Sequence, residues 1–455
     1  VSLLVMKFGG SCLREAGSIQ QLCRIIECHK KNRLVLVISA LGKTTRSLLD
    51  AGETAAAGDS ARALKKIDEI FSAHLKLWRE SGADEEVPSS DPWDTYRREM
   101  ERLVSGIGDL GEFSPRSRDH LLGYGERLAT LLLNDVLRHR GCLTRLFDSG
   151  EMIITDENFT SASPLQPHTR DGIRRHLEPV LKLNEMPLLQ GFIGSSLNGH
   201  PTTLGFEGSD FTAALVGAAL EAEEIQIWKD VPGVMTADPG LCPRARRIDE
   251  LSYQDAALLS GLGAQVLHPA TLEPARQTGI PVRVRPFHDP DEQGTRIHAD
   301  PAPRPERFLS ITFRPAIVGL RFELAPGKDR EQLLREVMRI CREAALPLRA
   351  LALEGSQLLT AVESVSVPRL HDDEVMSVGR LLEAEEMSFI SILGTDIEPG
   401  SIFGEILTPD LLAHCILCQQ GASRNFITLG IRRDQLKRML PVLHDRLFVT
   451  GGKKK

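Results

Sequence analysis

The feature that most constrains this chain is a repeated alternation, from residue 1 to about 300, of short apolar runs with longer amphipathic stretches. Leu34–Ser39 reads Leu-Val-Leu-Val-Ile-Ser, a continuous apolar run that suits a central strand covered on both faces. Helical patterns flank it at Ile19–Cys28 and Thr45–Ala57, and further strands are expected at Ser2–Phe8, Leu143–Phe147, Leu188–Ile193 and Glu224–Trp228. That alternation predicts an α/β fold with a mostly parallel sheet sandwiched by helices. Asp119–His139 reads as one amphipathic helix carrying Glu126 and Arg127 near its start. Between about residues 50 and 120 lies a helical insertion. Its charge-rich part, Ala61–Leu103, has Leu64, Ile67, Ile70 and Phe71 at helical spacing and the composition of a lid or outer bundle.

At 455 residues the chain should hold two or three domains. The character changes around Pro286–Glu306, where five prolines mark a linker. Beyond it, Phe308–Phe313, Ile317–Leu324, a helix at Asp329–Ala345 and Leu348–Leu353 suggest a small β/α sandwich. A similar pattern recurs over Phe389–Phe448, with a strand at Asn425–Ile431 and a helix at Arg433–Arg446, so two modules of about 70 residues are expected.

Composition excludes some classes of function. A net charge of -7 with no clustered basic face gives no reason to expect a nucleic-acid partner, and Lys453–Lys455 reads as a solvated tail. No apolar run approaches the roughly 20 residues needed to cross a bilayer, and the first strand lacks the marks of a signal peptide, so a cytoplasmic location is the expectation. The eight cysteines show no paired metal-ligand spacing. Cys415 and Cys418 form an isolated CxxC, expected to be buried thiols on one helix face.

Four segments carry chemistry. Lys7-Phe8-Gly9-Gly10-Ser11 hands a lysine off a strand into a turn whose glycines let successive amides converge on an anion, although two glycines after a strand also make an ordinary tight turn. Ser39–Thr45 follows the next strand with small residues, hydroxyls and Lys43, and in a parallel sheet both turns face one crevice. Glu126 heads a helix, where a solvated carboxylate would be favoured by the helix dipole alone. Thr202–Asp210 is a glycine-rich loop feeding a helix at Phe211–Leu220, with Ser209 and Asp210 placed to cap it or to bind.

Taken in order, Lys-Phe-Gly-Gly-Ser, Val-Ile-Ser-Ala, Gly-Glu-Arg-Leu, Gly-Phe-Ile-Gly, Gly-x-x-Gly-Ser-Asp-x-Thr-Ala, Trp-Lys-Asp-Val-Pro-Gly-Val-x-Thr-Ala-Asp-Pro and Gly-Ala-Gln-Val-Leu-His-Pro resemble the aspartokinases from about Leu3 to Ile297. The resemblance implies an amino-acid-kinase three-layer sandwich over residues 1–298, then tandem ACT-like α+β regulatory modules over 299–455. It implies transfer of the γ-phosphoryl group of ATP, with Mg²⁺, to the side-chain carboxylate of L-aspartate, the first step of lysine, threonine and methionine biosynthesis. Lys7 then resembles the lysine that meets the transferring phosphoryl, and Asp210 the carboxylate that positions it. Thr45, Glu126 and Ser209 match substrate contacts. Gly9, Gly10, Ser11, Lys229 and Asp230 match nucleotide contacts, and Met235 and Gln265 occupy nucleotide-side positions often held by tyrosine and lysine. No metal ligands are assigned. By analogy, lysine or threonine is an effector of the ACT region, a homodimer or higher homo-oligomer is expected, and the chain should be monofunctional, without a fused homoserine dehydrogenase.

The pattern departs from the family at Phe206, which stands where an arginine would clamp a substrate carboxylate, and at Gly240, where an arginine often follows Asp-Pro. Phenylalanine neither donates a hydrogen bond nor neutralises charge. Arg244, Arg246 and Arg247 could approach the phosphates or form a solvated turn. Besides an aspartokinase with rearranged substrate binding, Phe206 leaves two alternatives: an amino-acid kinase of altered specificity, and a non-catalytic nucleotide or amino-acid sensor.

Overall fold

The structure, a computed structural model, describes residues 2–82, 91–264, 267–302, 306–364, 379–395, 397, 406–421 and 425–450. It divides into two compact units, the first holding residues 1–234, 249–258 and 266–302 and the second residues 235–248, 259–265 and 303–455.

In the first unit the strands are β1 (Leu3–Phe8), β2 (Arg33–Ile38), β3 (Thr144–Phe147), β4 (Ile154–Thr155), β5 (Met186–Gln190), β6 (Ile193–Ser196), β7 (Pro201–Thr203), β8 (Glu224–Lys229), β9 (Glu250–Ser252), β10 (Val282–Pro286) and β11 (Thr295–His298). The helices are α1 (Ala16–Cys28), α2 (Thr44–Ala56), α3 (Ser60–Glu80), α4 (Asp91–Leu110), α5 (Pro115–Leu122), α6 (Tyr124–His139), α7 (Gln166–Lys182), α8 (Gly208–Leu220), α9 (Tyr253–Gly261) and α10 (Pro269–Thr278). Eight strands form one sheet in the order β3-β5-β2-β1-β8-β10-β11-β9, parallel at every junction except β10–β11. The mostly parallel sheet is therefore as expected. All six residues of β1 are buried, as an apolar strand with neighbours on both sides and helices on both faces must be.

Register fixes which side chains share a face. Lys7 lies opposite Ile227, and Lys229 is two residues further along β8, so both lysines project to one face. Phe8 lies opposite Trp228 on the other face, where the two rings stack at 6.0 Å and the Arg285 guanidinium covers the indole at 4.7 Å. The turn after β1 is equally determined. Gly9 donates its amide to the Trp228 carbonyl at 3.2 Å, and the Gly10 carbonyl accepts from Gly42 at 3.0 Å. The turns after β1 and β2 are thus bonded to each other.

Three local expectations are corrected. The helix expected over Asp119–His139 is broken at Gly123 into α5 and α6. The segment expected as a strand over Leu188–Ile193 is split between β5 and β6. The helical insertion is not an outer bundle. Ile67, Phe71, Trp78, Trp93 and Met100 belong to the same buried cluster as Leu36 and Ile38, because the charges of α3 and α4 occupy only their outer faces.

The second unit is built on a six-stranded sheet in the order β13-β14-β12-β15-β17-β16. Its strands are β12 (Phe308–Leu324), β13 (Leu348–Glu354), β14 (Gln357–Glu363), β15 (Gly379–Gly394), β16 (Cys415–Gln420) and β17 (Phe426–Arg432). Its helices are α11 (Arg330–Glu343), α12 (Pro409–Leu412) and α13 (Leu436–Asp445). The two modules are not separate along the chain, because β12 and β15 are long strands shared by both. The two runs read as separate strands at 308–313 and 317–324 are one strand, bulged between Arg314 and Ile317. The far end of β12 packs Val318, Leu320 and Phe322 against α11, whereas Ile311 packs with Ile390, Ile427 and Leu440 of the other half.

The CxxC is also corrected, since Cys415 and Cys418 lie on a strand and Cys418 is exposed. A bulge between Cys415 and Leu417 sets Cys415 opposite Ile431 and Cys418 opposite Leu429, so the two thiols belong to a strand pairing and not to a helix face. Arg244 pairs with Asp445 at 3.3 Å and Arg246 donates to the Phe448 carbonyl at 3.0 Å, so these two arginines are bound to the C-terminal helical segment. Residues 422–424 and 453–455 lie outside the described residues. Among the described residues no helix is long and apolar enough to cross a membrane.

The contact between the two turns generates a prediction. A Cβ added to Gly10 would stand 2.2 Å from the Ala40 carbonyl oxygen, a backbone atom that cannot swing aside. Gly10→Ala should therefore cost about 1–3 kcal/mol and lower the melting temperature measured by calorimetry.

Candidate active site

The carboxyl ends of β1, β2 and β8 open on a crevice of about 520 Å³. Its walls include Lys7, Gly9, Gly10, Ser11, Ser39, Thr45, Glu126, Ser209, Asp210 and Lys229. Of the twelve residues read from sequence as binding or catalytic candidates, these walls hold nine, with Ser39 added. Asp230 lies 3.8 Å from the Arg14 guanidinium. Met235 belongs to the second unit, where its carbonyl accepts from the Ser310 hydroxyl, and Gln265 lies outside the described residues. Lys43 turns away to line a neighbouring cavity with Arg14, Lys66 and His74.

At the centre is an ionic cluster. Asp210, 2% exposed, ion-pairs through Oδ1 with Lys7 Nζ and through Oδ2 with Lys229 Nζ, the latter at 3.1 Å. It sits in the first turn of α8, where the helix dipole favours a carboxylate. Burial pushes its carboxyl up, but the ammonium groups of Lys229 and then Lys7 outweigh burial and hold it below the usual carboxylate range. For Lys229 burial works downward, and the carboxylates of Asp210 and Glu207 overcome it to raise the ammonium group.

Glu207, to which the sequence alone assigns no role, is the fourth member of this cluster. Its Oε1 lies 3.5 Å from Lys229 Nζ, and its Oε2 accepts from the backbone amide of His268. The residue has left-handed backbone angles, φ 55 and ψ 25, a conformation more usual for glycine. Ala40 was missed as well. A backbone amide leaves no trace in a residue type, whereas an acid between two glycines in a loop was a visible signal for Glu207.

Glu126 lies in the first turn of α6, but it is buried and not the solvated helix-start carboxylate that its position alone allowed. Its Oε1 accepts from the Ala40 amide at 3.1 Å, while Oε2 is buried without a hydrogen-bond partner. Burial, opposed mainly by that amide, pushes its carboxyl up to about 8. A cationic group entering the crevice would complete this carboxylate and draw its proton off. Phe206 is 81% exposed at the crevice wall, with its ring 6.4 Å from the His268 imidazole. It supplies an apolar edge and no charge.

The arrangement suits an anion-rich reaction. Two ammonium groups stand at fixed positions, the backbone of a glycine turn approaches closely, and a helix N-terminus opens beside them. Among the described residues no cluster of three acidic, histidine or cysteine side chains could hold a metal ion.

Known proteins match this chain over nearly its whole length. The sequence model of the amino acid kinase family matches residues 2–286. Aspartokinase 1, chloroplastic, of Arabidopsis thaliana is 31% identical over 465 residues, covering 98% of this chain and 80% of that protein. Lysine-sensitive aspartokinase 3 of Escherichia coli is 29% identical, covering 98% of this chain and 99% of that protein. The crystal structure of E. coli aspartokinase III with aspartate and ADP, described as the R-state, superposes with a TM-score of 0.82 at 26% identity, covering 98% of this chain and 100% of that one. Its T-state counterpart with lysine and aspartate gives a TM-score of 0.77.

The raised Glu126 carboxyl makes a prediction about stability. In the unfolded chain Glu126 ionises near 4.5, whereas in the fold it stays protonated up to about 8. Between those values the native state binds the extra proton, so stability falls as pH rises through the window. Glu126→Gln should flatten this dependence and be more stable than the parent at pH 8, by on the order of a few kcal/mol. Calorimetric melting temperatures between pH 4.5 and 8 would show it, and an unchanged slope would refute it.

Proposed function

The chain belongs to the amino acid kinase family and, within it, to the aspartokinases, and from that premise we propose that the crevice at β1, β2 and β8 transfers the γ-phosphoryl group of ATP to the side-chain carboxylate of L-aspartate. The observation that carries this reading is Asp210, held between Lys7 and Lys229 at the joined ends of β1 and β8 and the head of α8.

The chemistry asks for little else. The acceptor carboxylate is already ionised at neutral pH, so no general base is needed to generate the nucleophile. As its oxygen forms a bond to the γ-phosphorus, the bond to the β–γ bridging oxygen breaks, giving 4-phospho-L-aspartate and ADP. The protein must hold the attacking and leaving oxygens in line and neutralise the charge on the equatorial oxygens. Lys7 and Lys229 supply that charge, and Asp210 keeps both ammonium groups in place. Gly10 and Ser11 offer amides to phosphate oxygens, while Gly9, whose amide is held by the Trp228 carbonyl, shapes the turn that presents them. Glu126 receives the substrate ammonium, with Thr45 and Ser209 completing the substrate side. Both oxygens of Asp210 are engaged by ammonium groups and among the described residues no acidic cluster could hold a metal ion, so a Mg²⁺ would come with the nucleotide and would supply further neutralisation of phosphate charge.

The regulatory part is read as residues 299–455, which make up most of the second unit, and the catalytic part as residues 1–298. Lysine is the proposed effector, because an E. coli relative is named lysine-sensitive and was crystallised with lysine in its T-state. Lysine should inhibit turnover, and a dimer should be seen by light scattering.

An ADP-release assay, with hydroxylamine present to trap the acyl phosphate, tests the reaction. Turnover should depend on both ATP and aspartate, and Asp210→Asn should lower kcat by about 10²–10³-fold. Nucleotide binding without aspartate-dependent turnover would refute the reading. Phe206→Arg should lower the KM for aspartate by about 10-fold, the scale of one charge-assisted hydrogen bond. An unchanged KM would place position 206 away from the substrate.

A further inference from the structure

We infer that Glu207 is a positioning residue that acts as an internal stand-in for a nucleotide phosphate, holding Lys229 until the phosphate displaces it. The inference rests on the reading above, in which Lys229 meets the nucleotide.

The backbone at Glu207 is unusual for an acidic residue. Glu207 is the N-cap residue of α8, yet its side chain makes no capping hydrogen bond, so the ordinary local use of an acid at a helix start does not explain it. It also occupies a left-handed conformation between Gly205 and Gly208, where a glycine would fit without steric cost. What the side chain does instead is reach outward, with one oxygen to Lys229 and the other to the His268 amide at the N-cap of α10. The loop is thereby fastened at both ends of one carboxylate.

Two ammonium groups, Lys7 and Lys229, face two carboxylates, Asp210 and Glu207, so this cluster is neutral before any phosphate enters. The two carboxylates are not equivalent. Asp210 lies 3.1 Å from Lys229 and is 2% exposed, whereas Glu207 lies 3.5 Å away with its side chain 18% exposed. A phosphate oxygen approaching Lys229 from the crevice therefore displaces the longer and more accessible partner. Asp210 stays, and Lys229 exchanges one anion for another without being left bare. Glu207 thus fixes the ammonium group in advance and competes with the nucleotide for it.

Nucleotide affinity tests this directly, by titrating ADP into the full-length protein in a calorimeter, which needs no turnover. Glu207→Gln removes the charge but keeps an oxygen for the His268 amide, and Glu207→Gly removes the whole side chain at a backbone position glycine favours. Both variants should bind ADP about 5-fold more tightly, and steady-state assays should show a lower KM for ATP with kcat lowered or unchanged. A merely structural role would weaken binding or leave it unmoved in Glu207→Gln, and either result overturns the inference. If the parent protein bound no ADP, the nucleotide assignment itself would fail, a different result from binding that does not tighten.

Discussion

Two ammonium groups share one buried carboxylate, and the crevice is organised around that contact. Taking Lys7, Asp210 and Lys229 out of water is costly, and the cost is met only because each charge has a partner at close range. Removing Asp210 would take from Lys7 and Lys229 the carboxylate they share, leaving Glu207 at 3.5 Å from Lys229. The cluster can exist only where strand and helix geometry deliver three side chains to one point. The register of β1 against β8 places both lysines on one face, and α8 begins there with Asp210 in its first turn.

The rest of the first unit keeps this geometry rigid. On the opposite face of the sheet the Phe8 and Trp228 rings stack beneath Arg285, so the strand ends that bear the lysines cannot slide without breaking a packed aromatic contact. At the rim, bonds from Gly9 to Trp228 and from Gly42 to Gly10 join three strand ends through their backbones. Deeper in the loop region, the buried Asp119 carboxylate accepts from the Thr203 hydroxyl, the Thr203 amide and the Thr160 amide. This anchors the segment that leads into the glycine loop before α8. Charge at the crevice and apolar packing behind it are two sides of the same strands.

Much of this was legible in the chain because it depends on neighbours in sequence. An apolar run such as 34–38 announces a covered strand, and a glycine pair after a strand announces a turn that can approach an anion. Errors came where distant contacts decide. The spacing of Cys415 and Cys418 suggests one helix face, yet both lie on β16, where pairing with β17 fixes an extended backbone. The break between 313 and 317 suggests a gap between strands, but continuous pairing with β15 carries β12 through it as a bulge. For Arg244 and Arg246 the sequence leaves open an approach to phosphates or a solvated turn. Their partners, Asp445 and the Phe448 carbonyl, lie some two hundred positions along the chain.

By itself the sequence determined the alternating α/β framework, the order of its motifs and the membership of its family, because periodicity and motif order are properties of the chain. Only the tertiary structure decided how the charges are paired. It set Asp210 between two lysines, left one oxygen of Glu126 buried and unpartnered, and bent Glu207 into a glycine-like conformation to meet Lys229. The physical reason is range. Backbone preference and hydrophobic pattern act over a few residues, whereas burial and Coulomb attraction depend on distances through space that exist only once the strands have paired.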